Sequence, residues 1–287
     1  MRFLAACVIL AVLFIGPFAH AQSNVVLVTT DQILLDFFET STVFDNVFDA
    51  IAFANEPRNR IDTIQIDEDA DPSTSEIDAW AAGALPEITV SLKIEGLGHP
   101  KDVILQGSTS DPVLTVSGTA ELIVESLTLT GGSNGVHAME NSTLIVNRCI
   151  IRDNDEYGVK INEPAPDPED PPEILVRDQA IYNSAITDNS GGGVLVEAAE
   201  GLLTVLGCTL IDNGDAIALP EGADADITNT LIYRNTGVDI SGTGTITTGY
   251  NYILDNAPPA FPLGTNDVDT TNPLFDDPLV DLGDPEL

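Results

Sequence analysis

The chain has 287 residues, of which 46 are acidic and 10 are lysine or arginine, and its formal net charge is −36 at pH 7. This negative charge repels nucleic acid and anionic membranes, so we expect neither as a partner. It suits divalent cations, cationic partners or a salty medium, and solubility at high ionic strength explains it without a specific cation site.

Residues 1–21 are predicted to be a secretory signal peptide. Arg2 provides the positive start, an apolar run covers 3–18, and Ala19-His20-Ala21 is a small-x-small cleavage site. The apolar run is short for a membrane span, and no later segment is long and apolar enough to form one. We therefore expect a secreted chain with no membrane span after cleavage.

Residues 22–80 are predicted to form an N-terminal cap. Two strand-like runs at 24–30 and 62–66 flank a helical pattern at 44–55. The apolar residues at helical spacing are Phe44, Val47, Phe48, Ile51 and Ala52. Because the open end of a solenoid exposes unpaired backbone and apolar side chains, a helix and strands there would cover it.

Beyond the cap, one six-residue pattern returns at a nearly constant interval. Its copies are "CIIRDN" (149–154), "SAITDN" (184–189), "CTLIDN" (208–213) and "TLIYRN" (230–235), with "LTLTGG" (127–132) as an earlier relative. The last residues of successive copies lie 22, 35, 24 and 22 positions apart. The longest interval contains the proline-rich insertion 163–173, which cannot be a central strand. A fixed period of this size is typical of a solenoid.

Each period contains three short β-prone runs separated by Gly, Asn, Asp or Pro, with no helical pattern between them. We therefore predict an all-β, right-handed parallel β-helix over residues 81–256, with three-strand coils of about 22–24 residues. A leucine-rich repeat has a similar period but needs a Leu/Asn consensus that is missing. Residues 257–287 form an acidic C-terminal tail.

The pattern also assigns the core. Cys149, Ser184 and Cys208 occupy the first position of their copies, and the aliphatic residues two positions along share their face. The two cysteines lie two coils apart, or about 9–10 Å. Since a disulfide joins Cα atoms at most about 7 Å apart, we predict two buried, reduced thiols.

Each copy closes on an asparagine. Asn tolerates a left-handed backbone, and its amide can bond to the copies above and below. We therefore predict a structural ladder of Asn154, Asn189, Asn213 and Asn235.

No residue is assigned a catalytic role. The candidates that come nearest are the stacked carboxylates Asp153, Asp188 and Asp212, together with the outward-facing Arg152. Coils about 4.8 Å apart bring like charges close enough to raise a pKa or recruit a cation, although Asp at such a bend is also simple turn chemistry. A mixed strip of Arg152, Ile211 and Tyr233, predicted to face outward, is a candidate ligand surface.

Cofactors are not expected, with calcium as the one alternative. Asn266, Asp267 and Asp269 lie in a predicted loop that could hold calcium or could simply be solvated. His99 and His137 are isolated from each other, so the sequence does not support a zinc site.

The motifs "VVLVTT" (25–30), "FDNVFDAIAFAN" (44–55), "IDTIQI" (61–66) and "VLTVSGTAELIVESLTLTGG" (113–132) resemble bacterial secreted proteins with polymorphic-outer-membrane-protein-like repeats. Residues 229–256 resemble the last coils of choice-of-anchor Q proteins. The resemblance implies a secreted or surface-exposed β-helix of the bacterial envelope with an adhesin-like role.

Three functions therefore compete. The first is a non-catalytic, adhesin-like solenoid that binds an extracellular glycan or protein along its flank. The second is a carbohydrate-active enzyme with the pectate-lyase-like fold, either a polysaccharide lyase or a glycoside hydrolase. The third is a structural envelope component. Cationic groups suited to a lyase are scarce, and the one tryptophan, Trp80, lies near the cap, so the first function is favoured.

Overall fold

The computed structural model describes residues 25–29, 43–67, 85–139, 141–162, 178–197, 201–221, 223–242, 244–254 and 268–270. The predicted signal peptide, the insertion at 163–173 and all of the acidic tail except 268–270 lie outside the described residues.

Within the described residues, three parallel sheets form the solenoid, and each regular coil contributes one strand to each sheet. The ten-stranded sheet contains β1 (Val25–Val28), β2 (Val43–Phe44), β3 (Thr63–Ile66), β4 (Leu92–Gly96), β7 (Glu121–Glu125), β10 (Thr143–Asn147), β13 (Gln179–Tyr182), β16 (Leu202–Leu206), β19 (Asp224–Thr228) and β22 (Thr245–Gly249). The eight-stranded sheet contains β5 (Ile104–Gln106), β8 (Thr128–Thr130), β11 (Ile150–Arg152), β14 (Ala185–Thr187), β17 (Thr209–Ile211), β20 (Leu231–Tyr233), β23 (Tyr252–Leu254) and β24 (Val268–Thr270). The six-stranded sheet contains β6 (Leu114–Val116), β9 (Val136–Ala138), β12 (Tyr157–Ile161), β15 (Gly192–Val196), β18 (Asp215–Leu219) and β21 (Ile240–Gly242). The predicted parallel β-helix is confirmed.

The register of the eight-stranded sheet builds the core. Ile151 pairs with Ile186, and Ile186 pairs with Leu210, all fully buried. One residue before each strand, Cys149 and Cys208 lie in the same column two coils apart, and both are free and buried. Because successive side chains of a strand point to opposite faces, this register stacks the aliphatic residues of successive coils in columns that point into the solenoid interior.

One strand lies later in the chain than its apolar pattern suggests. Before "SAITDN", the apolar pattern predicts a strand at 174–176, but this run lies outside the described residues, and β13 occupies that place in the sheet. Ile181 pairs with Val146 and with Val205. In the two neighbouring coils, the inward residues Val146 and Val205 lie three positions before the first residue of the six-residue pattern. Ile181 keeps this spacing before Ser184, whereas the run 174–176 does not.

The cap continues the solenoid, since β1, β2 and β3 extend the ten-stranded sheet. Helix α1 (Val47–Ala54) begins after Asn46, whose side chain accepts a hydrogen bond from the Asp49 amide at 2.7 Å. Its buried residues are Val47, Ala50, Ile51 and Ala54. Phe48 and Ala52 are exposed, because they lie on the side of the helix away from its buried residues. No helix among the described residues is long and apolar enough to cross a membrane.

Candidate functional site

The candidate site lies where each coil turns from the eight-stranded sheet to the six-stranded sheet. Asp153, Asp188, Asp212 and Arg234 occupy this bend with φ of 55°, 57°, 56° and 54°. The left-handed residue is therefore the one before each asparagine, and the prediction that the Asn itself is left-handed was wrong. Asp also tolerates this backbone, and the arrangement leaves the following Asn free to project into the core.

The asparagines form a continuous hydrogen-bonded ladder inside the bend. Asn154 Nδ2 donates to Asn189 Oδ1 at 2.8 Å, and Asn189 Nδ2 donates to Asn213 Oδ1 at 2.9 Å. Asn213 Nδ2 in turn donates to Asn235 Oδ1 at 3.3 Å. Asn154, Asn189 and Asn213 are at most 1% exposed. Each buried side-chain amide thus supplies hydrogen-bond partners to the asparagines on the neighbouring coils, so the bend does not need water to complete its hydrogen bonds.

Outside the ladder, the three aspartates and Arg234 form a row on successive coils, which we call the carboxylate row. Arg234 closes it with two hydrogen bonds, from Nε to Asp212 Oδ1 at 3.0 Å and from Nη2 to Asp212 Oδ2 at 2.6 Å. At the other end, Arg152 Nη1 lies 3.7 Å from Asp153 Oδ2. The row therefore carries one bidentate ion pair, one looser ion pair and one central carboxylate.

That central carboxylate, Asp188, has a perturbed pKa. Partial burial raises the pKa of Asp188, and the charges of Asp212 and Asp153 raise it further, against the opposing effects of Thr187 and Arg152. Burial is the largest cause, and like charges stacked at the spacing of β-strands add to it.

The predicted ligand strip is only partly exposed. Arg152, Ile211 and Tyr233 share one column of the eight-stranded sheet, with Thr187 between the first two. Ile211, however, is 5% exposed, so its prediction as an outward contact was wrong. At the spacing of adjacent strands, the side chains of the coils above and below cover it. Tyr233 remains half-buried beneath Arg234, whose guanidinium carbon lies 5.2 Å from the ring centroid.

Sequence reasoning missed a second charged group, on the outer face of the ten-stranded sheet. Lys93 contacts Glu95 and lies 2.8 Å from Glu125, while Arg148 Nη2 lies 2.7 Å from Glu125 Oε1. Burial lowers the pKa of Lys93, but hydrogen bonds to Glu125 and Glu95 outweigh it and the pKa is raised. The Lys93 hydrogen bond lowers the pKa of Glu125.

A sequence signal for this group exists. "LKIEG" (92–96), "LIVES" (122–126) and "LIVNR" (144–148) align residue for residue, and their outward positions bring Lys93, Glu95 and Glu125 together. Sequence reasoning did not compare the outward positions of these three segments.

The calcium candidates are not assembled into a site. Asn266 and Asp267 lie outside the described residues, and Asp269 lies in β24, paired with Ile253, where a loop was predicted. Among the described residues, no group of three or more His, Cys, Asp or Glu side chains could hold a metal ion.

Taken together, the three stacked sheets and the buried ladder define a parallel β-helix protein. Residues 101–273 match the family described as "Periplasmic copper-binding protein (NosD)", and the chain belongs to this family. A solved alginate lyase from Paenibacillus sp. str. FPU-7 has a similar fold, with a TM-score of 0.51 and 15% identity over 75% of this chain and 76% of that chain. No curated protein sequence matches the chain significantly.

The family description raises the question of copper, which favours thiolate, thioether and imidazole ligands. Both described thiols are turned into the core, where Cys149 Sγ and Cys208 Sγ each donate to backbone carbonyls at 3.3–3.5 Å. Burial raises the pKa of each thiol to about 11, so both stay protonated and neutral. Neither described thiol therefore offers copper a thiolate ligand.

Proposed function

We propose that the protein is a non-catalytic, adhesin-like β-helix of the bacterial envelope that binds an extracellular glycan along its flank, with a protein ligand as the other outcome of the test. The observation that carries the proposal is the carboxylate row, held rigid from inside by the asparagine ladder. The periplasmic location of the family supports an envelope setting.

The chemistry of the row suits the hydroxyl groups of a sugar. The carboxylate of Asp188 accepts hydrogen bonds, the guanidinium of Arg234 donates them, and the Tyr233 ring adds an apolar surface beside them. Because successive coils repeat at about 4.8 Å, the row offers these groups in a fixed linear order. A surface fixed in advance loses little entropy when a ligand binds.

An array of neutral and acidic glycans, combined with an assay for new reducing ends, tests the proposal. The double variant Asp188→Ala/Asp212→Ala should weaken binding at least about tenfold, which corresponds to the loss of one hydrogen bond to a charged group. The matched control Asp178→Ala/Asp224→Ala removes two exposed carboxylates, one directly before β13 and one in β19, and should bind like the parent. Equal binding by the parent and the row variant contradicts the site, and new reducing ends contradict the non-catalytic role.

A carbohydrate-active enzyme is the second candidate, and one observation favours it. Lys93 and Arg148 lie with two glutamates on a sheet face, and the structural neighbour described above is named as a polysaccharide lyase. The raised pKa of Lys93 places this function second, because a lysine held protonated is a poor general base at neutral pH. Release of unsaturated ends from alginate by the parent, abolished by Lys93→Gln, would establish it.

A further inference from the structure

Each coil turns a second time, where its strand in the ten-stranded sheet is followed by its strand in the eight-stranded sheet. Five successive coils place Arg148, Asn183, Gly207, Asn229 and Tyr250 at this bend, with φ of 55°, 48°, 67°, 52° and 62°. The backbone N of each of the first four residues donates a hydrogen bond to the following coil at 2.9–3.1 Å. The five residues are therefore stacked at about 4.8 Å in a fixed order, and we call Asn183, Gly207, Asn229 and Tyr250 the amide corner.

Tyr250 is the unusual member of this corner. A left-handed backbone suits glycine and asparagine, whereas it strains a bulky aromatic residue. Burial of the ring does not compensate for that strain, because Tyr250 is 67% exposed. An exposed aromatic side chain on a strained backbone, at a position where asparagine would fit without strain, points to a role in binding rather than in folding.

Two exposed amides precede the tyrosine along the corner. Asn183 and Asn229 lie on either side of Gly207. A Cβ at Gly207 would come 3.0 Å from Asn183 Oδ1, so the Asn183 side chain reaches over the glycine of the next coil. Leu206, directly before the glycine, is 41% exposed and adds an apolar surface. The corner therefore offers two side-chain amides, each with donors and an acceptor, beside one aliphatic and one aromatic surface.

The bend residues themselves carry no negative charge. None of the five is acidic, although the chain as a whole has a net charge of −36. At one end of the corner, Glu125 is engaged by Lys93 and Arg148. At the other end, the hydroxyl of Thr228 donates to Asp226 Oδ1 at 2.9 Å. The corner thus presents uncharged hydrogen-bonding groups, while the net charge of the chain repels an acidic ligand, so a neutral ligand fits it best.

We propose that the amide corner is a second ligand site, which takes a neutral oligosaccharide lying along the solenoid axis. The Tyr250 ring would stack on the apolar face of one sugar, and the amides of Asn229 and Asn183 would exchange hydrogen bonds with the hydroxyls of the sugars that follow. Because the stacked backbone already fixes the order of these groups, little conformational entropy is lost on binding. The ligand class rests on the proposed glycan-binding function, but the corner and the carboxylate row lie at opposite ends of the strands of the eight-stranded sheet.

The full chain contains five tyrosines, so tyrosine-selective NMR reports this site with few signals. The probes are cellotetraose, N-acetylated chitotetraose and, as the acidic comparison, an alginate tetrasaccharide. We expect at least one neutral tetrasaccharide to shift the Tyr250 signals, which the variant Tyr250→Asn assigns. The shift should persist in Asp188→Ala/Asp212→Ala, in which the carboxylate row lacks two of its three aspartates.

Calorimetric titration in that double variant then measures the contribution of the ring. Adding Tyr250→Asn should weaken binding about tenfold or more, because the stacking surface is lost. It should not lower the melting temperature, because asparagine takes a left-handed backbone more readily than tyrosine. The matched control Arg60→Asn makes the same kind of change at an exposed residue of the cap with φ of 50°, and should leave binding unchanged.

The outcomes separate the amide corner from the carboxylate row. A Tyr250 shift that persists in Asp188→Ala/Asp212→Ala supports the corner, whether or not the row binds glycans. The inference is overturned if neither neutral tetrasaccharide moves Tyr250, if only the alginate fragment does, or if Tyr250→Asn leaves binding unchanged. A lower melting temperature for Tyr250→Asn also overturns it, because the ring would then serve stability. A shift of Tyr233, beside the row, with Tyr250 unmoved would leave the proposed function standing and remove this site.

Discussion

Replacing Asn189 by alanine tests whether the ladder stabilises the solenoid. Asn189 is fully buried, and its side chain makes four hydrogen bonds. Its Oδ1 accepts from the backbone N and from Nδ2 of Asn154, at 3.2 and 2.8 Å. Its Nδ2 donates to Ile151 O at 3.2 Å and to Asn213 Oδ1 at 2.9 Å.

At about 1 kcal/mol for each hydrogen bond, Asn189→Ala should lower the free energy of unfolding by about 4 kcal/mol. The two donors left on Asn154 are buried, so water cannot easily replace the lost acceptor. Asn235→Ala is the matched control, because Asn235 also takes part in the ladder but lies at its less buried end. There water can replace the lost partners, and we expect a loss of about 1–2 kcal/mol.

Urea denaturation measures both variants, followed by far-ultraviolet circular dichroism and by fluorescence. Two probes are needed because a solenoid can unfold in parts, and the comparison requires coincident transitions. The reasoning is refuted if Asn189→Ala costs less than about 1 kcal/mol, or if the two variants are equally destabilised.

Three further predictions follow from the same coils. Asp188→Asn should be more stable than the parent at pH 7, because the raised pKa of Asp188 means that folding disfavours its charged form. This gain in stability should vanish as the pH falls towards the ordinary Asp pKa of 3.8, and Asp153→Asn, at the end of the row, should gain less. Cys149 and Cys208 should resist alkylation in the native protein, and both should be modified after denaturation without reductant; mass spectrometry that found them joined would contradict the register. Ile211→Ala should cost about 2 kcal/mol in urea denaturation, since the side chain is 5% exposed, and a loss below about 0.5 kcal/mol would mean that Ile211 faces solvent after all.

The core could be predicted from the sequence because the repeat fixes it. Once Cys149, Ser184 and Cys208 are aligned, the pairing of Ile151 with Ile186 and of Ile186 with Leu210 follows from a period of two. The same alignment places the asparagines on successive coils, which leads directly to the ladder.

The details that sequence reasoning missed depend on the spatial surroundings of single residues. Asp and Asn both tolerate a left-handed backbone, so the sequence could not decide which of Asp188 and Asn189 takes it. The structure places Asp188 there because the ladder needs the amide of Asn189 inside. Ile211 occupies an outward position by periodicity, yet the neighbouring coils cover it, and that depends on the size of the side chains beside it.

The bend separates stability from function at neighbouring positions. The buried amides of Asn189 and Asn213 hold the coils in register, while Asp188 and Asp212, one residue earlier, point towards solvent and contribute charge. Partial burial and, as a smaller cause, repulsion within the row disfavour the charged form of Asp188 in the folded state, as its raised pKa indicates. Asparagine would serve the left-handed bend equally well without that repulsion. A ligand that needs acceptors at the spacing of the coils gives a physical reason for the aspartates, which is why variants of the row, rather than of the ladder, test the proposed function.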